Sequence, residues 1–164
     1  MKNEQLCLCC GEEAKEFKEI IKKEVKFNIT PNKLFHENIG WFCGIDDLKI
    51  NNWPISKNDG VYLLWEKIDY CPQHKLFISE ALYVGKGNIK KRIYDHAKNK
   101  GFSEENLVYF SFLDIPNRSA KYIEQLLLDL YKFPLNKVEN NGQAVLYSYL
   151  TQTEVDFGTL SNTS

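Results

Sequence analysis

The chain has 164 residues, 43% of them hydrophobic, and a formal charge of −1, which is the size and composition of one globular domain. A second full-sized domain is excluded, and the near-neutral charge excludes a protein that coats nucleic acid by bulk electrostatics. No run approaches the roughly 18 to 20 apolar residues of a membrane helix, and MKNEQLCLCC is charged where an export signal would be apolar, so a cytoplasmic protein without membrane contact is expected.

Residues 11–26, GEEAKEFKEIIKKEVK, place Phe17, Ile20, Ile21 and Val25 on one stripe and predict an N-terminal surface helix. From Phe27 to Pro54 the turn signals ITPN, ENIG and NNWP predict an irregular arm packed on the core around Trp41, Phe42, Leu48 and Ile50. Residues 1–59 thus form an N-terminal helix and arm. The five cysteines, Cys7, Cys9, Cys10, Cys43 and Cys71, are an odd set, and free thiols are expected. Cys7-x-x-Cys10 has the spacing of half a zinc knuckle, but neither Cys71-x-x-His74 nor His36 with Cys43 follows at the usual short separation, so zinc is not expected.

At Gly60 the pattern changes. GVYLLWEKI and ALYVG are β-branched and aromatic, and predict strands over about 60–67 and 80–85 joined by the polar, turn-rich DYCPQHKLFISE. NIKKRIYDHAKNKG sets Ile89, Ile93 and Ala97 four apart and stops at Gly101, predicting a helix. LVYFSFL, 107–113, reads as a third, core strand, with Tyr109 a minor candidate to stack on a base. RSAKYIEQLLLDLYKF lines Ile123, Leu126, Leu127, Leu130 and Tyr131 along a helical stripe that Pro134 ends. AVLYSYL reads as a short strand or buried arm, and TQTEVDFGTLSNTS as a frayed tail. The expected fold is α/β, a small, mainly antiparallel three-stranded sheet flanked by helices, with its core at 60–140 and an extension at 141–164.

Charge is uneven along the chain: between 86 and 100, Lys86, Lys90, Lys91, Arg92, Lys98 and Lys100 face Asp95 alone. Any polyanion contact is expected there. Arg92 and His96 are four apart and share a helix face beside the apolar stripe. Glu124 stands at the edge of its own stripe, one turn after Ala120, where a carboxylate can face a cleft. His36 and His74 read as surface or loop residues.

Gly60-Val61-Tyr62, Tyr83-Val84-Gly85, Arg92-x-x-x-His96, Glu124 and, twelve residues on, Asn136 follow one another in an order that resembles the GIY-YIG nuclease family. The match spans about 60–140, nearly half the chain. Twenty residues, Leu63 to Leu82, separate the two tripeptides, more than the family commonly has, so the hairpin should extend beyond the core sheet. The resemblance implies a metal-dependent endonuclease acting on DNA, with RNA as the alternative substrate. Glu124 would hold one Mg²⁺ or Mn²⁺ per active site, a hard cation otherwise ligated by water and phosphate. Arg92 would contact the scissile phosphate as a permanent cation. Tyr62 would be the general base, Tyr83 would orient water or phosphate, and His96 would help move a proton. A tyrosine with a pKa near 10 is a poor base at neutral pH, so either nearby positive charge must stabilise its phenolate or His96 must receive its proton. Lys86, Lys90 and Lys91 would contact substrate and Asn136 would brace the site from behind.

A restriction-like setting would call for a homodimer, since one site cuts one strand. A nuclease toxin and a repair or mobile-element nuclease are the other settings. The alternative of another class is a noncatalytic nucleic-acid-binding module, and beyond it a zinc-dependent interaction protein.

Overall fold

The computed structural model describes residues 12–23, 29–43, 52–98, 107–137 and 140–160. In chain order its elements are α1 (Lys15–Lys23), α2 (Pro31–His36), β1 (Ile39–Phe42), β2 (Asp59–Cys71), β3 (Leu76–Asn88), α3 (Ile89–Lys98), β4 (Val108–Asp114), α4 (Asn117–Leu130), β5 (Tyr131–Lys132), β6 (Ala144–Val145), β7 (Tyr147–Leu150) and α5 (Gln152–Phe157).

The run from Val61 to Trp65 is apolar at every position, the mark of a strand covered on both faces. On one face Val61, Leu63 and Trp65 pack with Ala120, Ile123 and Leu127 of α4 and with Phe17 and Ile21 of α1. On the other, Tyr62 and Leu64 pack with Ile89, Ile93 and Ala97 of α3 and with Phe110 and Phe112 of β4. The apolar stripes read from the sequence are thus the buried stripes of both long helices.

The three expected strands are neighbours: β2 pairs antiparallel with β3 on one side and with β4 on the other. The β2–β3 ladder runs out to Cys71 opposite Leu76, so the polar excursion between the strands is itself mostly strand, turned at residues 72–75. Bulges between Leu64 and Trp65 and between Lys67 and Asp69 interrupt its register.

The sheet has five strands rather than three, in the order β1-β4-β2-β3-β7 and antiparallel throughout. β1 lies in the segment expected to be irregular. At four residues it is too short to show a period, and its partner, Ser111 opposite Ile39, is distant in sequence. The same segment contains α2. Its ITPN signal is a helix start, where Thr30 Oγ1 accepts the Lys33 N–H at 3.2 Å and Pro31 occupies the first turn.

Two further expectations are corrected. α4 ends at Leu130, before Pro134: Tyr131 is extended (φ −125°, ψ 154°) and pairs with Ala144. It is buried, and its hydroxyl donates to Glu16 at 3.0 Å and accepts the Phe17 N–H at 3.4 Å. The tail is docked rather than frayed: Thr151 and Glu154 form a reciprocal capping box on α5, and Thr159 Oγ1 accepts the Ile39 N–H at 2.8 Å.

His36 is no surface residue. Its Nε2 lies 2.8 Å from Glu13 and its Nδ1 2.8 Å from Glu154, with the imidazole 16% exposed. Hydrogen bonds and charge from the two carboxylates outweigh the opposing effect of burial and lift its pKa to about 9. His74 is exposed in the hairpin turn, its Nδ1 3.4 Å from the Cys71 sulfur. Cys43 and Cys71 form no disulfide. Cys7, Cys9, Cys10, Val25, Leu48, Ile50, Lys100 and Gly101 lie outside the described residues. Among those described, no helix is long and apolar enough to cross a membrane.

Candidate active site

The site begins with the register of the β2–β3 pair, which sets Tyr62 opposite Gly85 and Leu64 opposite Tyr83. Side chains two apart on a strand share a face, so Tyr62 and Tyr83 stand as diagonal neighbours on the α3 side of the sheet. Their rings stack at 6.0 Å between centroids with 28° between planes. Tyr62 is 1% exposed and Tyr83 partly exposed, so one phenol is enclosed and the other opens outward.

Gly87 turns the chain from β3 into α3. It has φ +120°, and a Cβ there would lie 3.2 Å from Arg92 Nε, so the residue supplies both the turn and the surface against which the Arg92 side chain rests. α3 then projects Arg92 and His96 together. His96 Nε2 is 2.8 Å from the Tyr62 hydroxyl, and the imidazole sits 4.5 Å from the Tyr83 ring centroid. Tyr62, Tyr83 and His96 therefore form one contiguous cluster, as the sequence reading expects.

Electrostatics defines the protonation states. Burial raises the Tyr62 pKa far above its ordinary value; Tyr83 and Glu124 push the same way, and only the Arg92 charge opposes them. Tyr62 is held as the neutral phenol. Burial, reinforced by the positive charge of Arg92, lowers the His96 pKa and so favours a neutral imidazole at neutral pH. With the His96 proton on Nδ1, the pair is a phenol beside a nitrogen able to accept its proton.

Glu124 comes from α4, on the opposite face of the sheet. It is partly buried and its charge is felt at Tyr62. Lys86 lies on the same side, its Nζ 3.4 Å from Asn117 Oδ1 at the start of α4. Asn136 reaches the backbone of β3 as a peptide would: Oδ1 accepts the Val84 N–H and Nδ2 donates to the Val84 carbonyl, both at 2.9 Å. Both bonds fall on the residue between Tyr83 and Gly85.

Two sequence expectations separate here. Lys90 and Lys91 leave the cluster for another face of α3, where they line a hollow with Tyr94 and Lys98. Tyr109 cannot stack on a base, since it is 2% exposed and its hydroxyl donates to the Val155 carbonyl at 3.2 Å. Gly87, which the sequence reading left unremarked, positions Arg92; the lone glycine between Lys86 and Asn88 at a strand-to-helix junction was its signal.

Comparison with protein families, with curated proteins and with solved structures finds no match to this chain. The chemistry of the site therefore rests on its own residues. Among the described residues no three His, Cys, Asp or Glu side chains converge to cage a metal. A zinc-type donor set does not fit. One carboxylate in a partly open site fits a hard divalent cation that keeps most of its water.

Proposed function

We propose that the chain is a metal-dependent endonuclease of the GIY-YIG type that hydrolyses DNA phosphodiester bonds. The observation that carries this reading is the Tyr62–His96 hydrogen bond, made by a buried phenol whose neighbour Arg92 is a permanent cation. The central strands β4-β2-β3, with α3 and α4 on their two faces, are compatible with the framework that the resemblance implies and support this reading; β1 and β7 are the outer strands of the sheet.

The work of the residues follows from their states. As a water oxygen attacks phosphorus, its proton passes to the Tyr62 oxygen while the Tyr62 proton passes to His96 Nε2, so no phenolate is formed. This removes the difficulty of a tyrosine base at neutral pH. The P–O bond to the leaving oxygen breaks, and that oxygen takes a proton from solvent. Arg92 holds the nonbridging oxygens. Tyr83, on the open side of the cluster, orients the water, and Lys86 adds positive charge at the rim. Glu124 would hold Mg²⁺ or Mn²⁺, which when bound supplies charge stabilisation at a phosphate oxygen.

The test is incubation of the purified protein with supercoiled plasmid in Mg²⁺, in Mn²⁺ and in EDTA, alongside Glu124→Ala and Arg92→Ala. Metal-dependent cutting that both substitutions abolish is expected, with discrete bands marking a restriction-like enzyme and a smear an indiscriminate one. Retained cutting in either variant would break the mechanism.

A further inference from the structure

Lys90, Tyr94 and Lys98 stand at steps of four along α3, and at roughly 100° per residue their stripe lies about 200° around the helix from Arg92 and His96. With Lys57, from the segment before β2, this stripe walls a hollow of about 490 Å³ that also takes in Lys91. Four lysines line it, against one carboxylate, that of Asp95. Among the described residues none of the four is held in an ion pair; those pairs are made by Lys18 and His36. Lys98 Nζ sits 4.5 Å over the Tyr94 ring, which fixes one ammonium at the wall.

The backbone at this end of α3 has already spent its donors. The Ile89 N–H goes to the Asn58 carbonyl, the Lys90 N–H to the Ser56 carbonyl and the Lys91 N–H to Asn88 Oδ1. A compact monophosphate would therefore find no nest of amides. What the hollow offers is separated point charges on flexible stems, which match a run of successive phosphates rather than grip one bidentately.

We propose that this hollow holds the phosphate backbone of DNA away from the scissile step, as a second contact that carries the substrate's flank while Arg92 takes the phosphate to be cut. The proposal rests on the nuclease reading for the identity of its polyanion. It also accounts for a nearly neutral protein binding a polyanion, because the surplus charge is gathered on one side of a single helix.

The experiment is fluorescence anisotropy of a labelled 24-base-pair duplex, in EDTA so that no metal-dependent cutting occurs, across a range of NaCl concentrations. Wild type is compared with Lys57→Gln/Lys90→Gln/Lys98→Gln and with a control triple at exposed lysines elsewhere, Lys15→Gln/Lys22→Gln/Lys132→Gln, both checked for unchanged melting. Each phosphate contact contributes about 0.9 to the slope of log affinity against log salt, so the hollow triple should flatten that slope by about two to three and weaken binding at least tenfold at low salt. The control should do neither. An unchanged slope in the hollow triple, or an equal fall in the control, overturns the proposal. So does a poly-glutamate peptide binding to wild type as tightly as the duplex, which would make the hollow a dock for acidic protein. If wild type cuts nothing under any metal condition yet the hollow triple still loses duplex binding, the nuclease reading falls and the backbone contact stands.

Discussion

Gly85 lies directly across from Tyr62 in the β2–β3 pair, so close that a Cβ on it would meet the phenolic oxygen at 2.5 Å and ring carbon Cζ at 2.6 Å. The second tripeptide therefore ends in glycine so that the tyrosine of the first can lie across the strand and reach His96. Gly85→Ala must displace the Tyr62 ring. The overpacking should cost about 1–3 kcal/mol, measured by urea denaturation. Cleavage should fall about 100-fold, the scale of loss for a misplacement near 1 Å. A Gly85→Ala protein that cleaves as wild type would show that the position of the ring is not needed.

The relay predicts a pH profile. His96 must be neutral to accept a proton, and its pKa is lowered by burial and Arg92, so activity should rise with pH through a midpoint below 6.5 and then level off. The Tyr62 pKa is raised, so no gain is expected from ionising the phenol as pH rises toward 10. Tyr62→Phe should keep the fold and lose about 100- to 10,000-fold in rate. His96→Ala should erase the acidic limb. Rate against pH for the three proteins decides it, and an acidic limb that survives in His96→Ala would assign it elsewhere.

Asn136→Ala removes both hydrogen bonds to Val84 and leaves a backbone N–H and carbonyl of β3 without that partner. A loss of about 1–3 kcal/mol is expected. Because Val84 lies between Tyr83 and Gly85, cleavage should fall as well. Asn136→Asp should restore at most the bond from the Val84 N–H, since a carboxylate cannot donate to the carbonyl. Thermal melting of both variants beside their cleavage rates tests this.

The His36 cluster makes stability depend on pH in two directions. Its pKa rises from 6.5 to about 9 on folding, so its contribution is complete below pH 6.5 and is lost as pH climbs through about 9. The full shift corresponds to about 3 kcal/mol at about 1.4 kcal/mol per unit. The Glu154 pKa is lowered even though burial, the largest influence, raises it, because His36 and Thr151 outweigh that effect; its contribution is present above the unfolded carboxyl pKa and lost in acid. The cluster therefore stabilises most between about pH 4.5 and 6.5. Melting temperature should decline from pH 6.5 to 9.5 in wild type, and His36→Gln should flatten that decline.

The parts of this fold that the sequence discloses are those held by local pattern. The run from Val61 to Trp65, the stripe Ile89, Ile93 and Ala97, and the stripe Ile123 and Leu127 each show their period within a few residues. α2, β1 and α5 do not, because each is at most six residues long and is held by remote partners: Glu13 and Glu154 for His36, Ser111 and Thr159 for Ile39. Thr151-x-x-Glu154 has the spacing of a capping box, the one local signal for the start of α5. In the site, Tyr62, Tyr83 and His96 stand together, but no spacing rule could give the 2.8 Å contact of two residues 34 apart in the chain. Sequence proximity groups Lys90 and Lys91 with Lys86, although two steps along a helix already separate Lys90 from Arg92 by about half a turn.

Glu13 does more than hold His36. Its carboxylate also accepts the Tyr149 N–H at 2.9 Å and the Ser148 hydroxyl at 3.3 Å, both from β7, the last strand in the sheet order. An outermost strand normally leaves such donors free to recruit a strand from another chain. Here the Glu13 carboxylate already takes the Tyr149 N–H, so that donor at the sheet's margin is occupied by the same contact that holds the segment before α1.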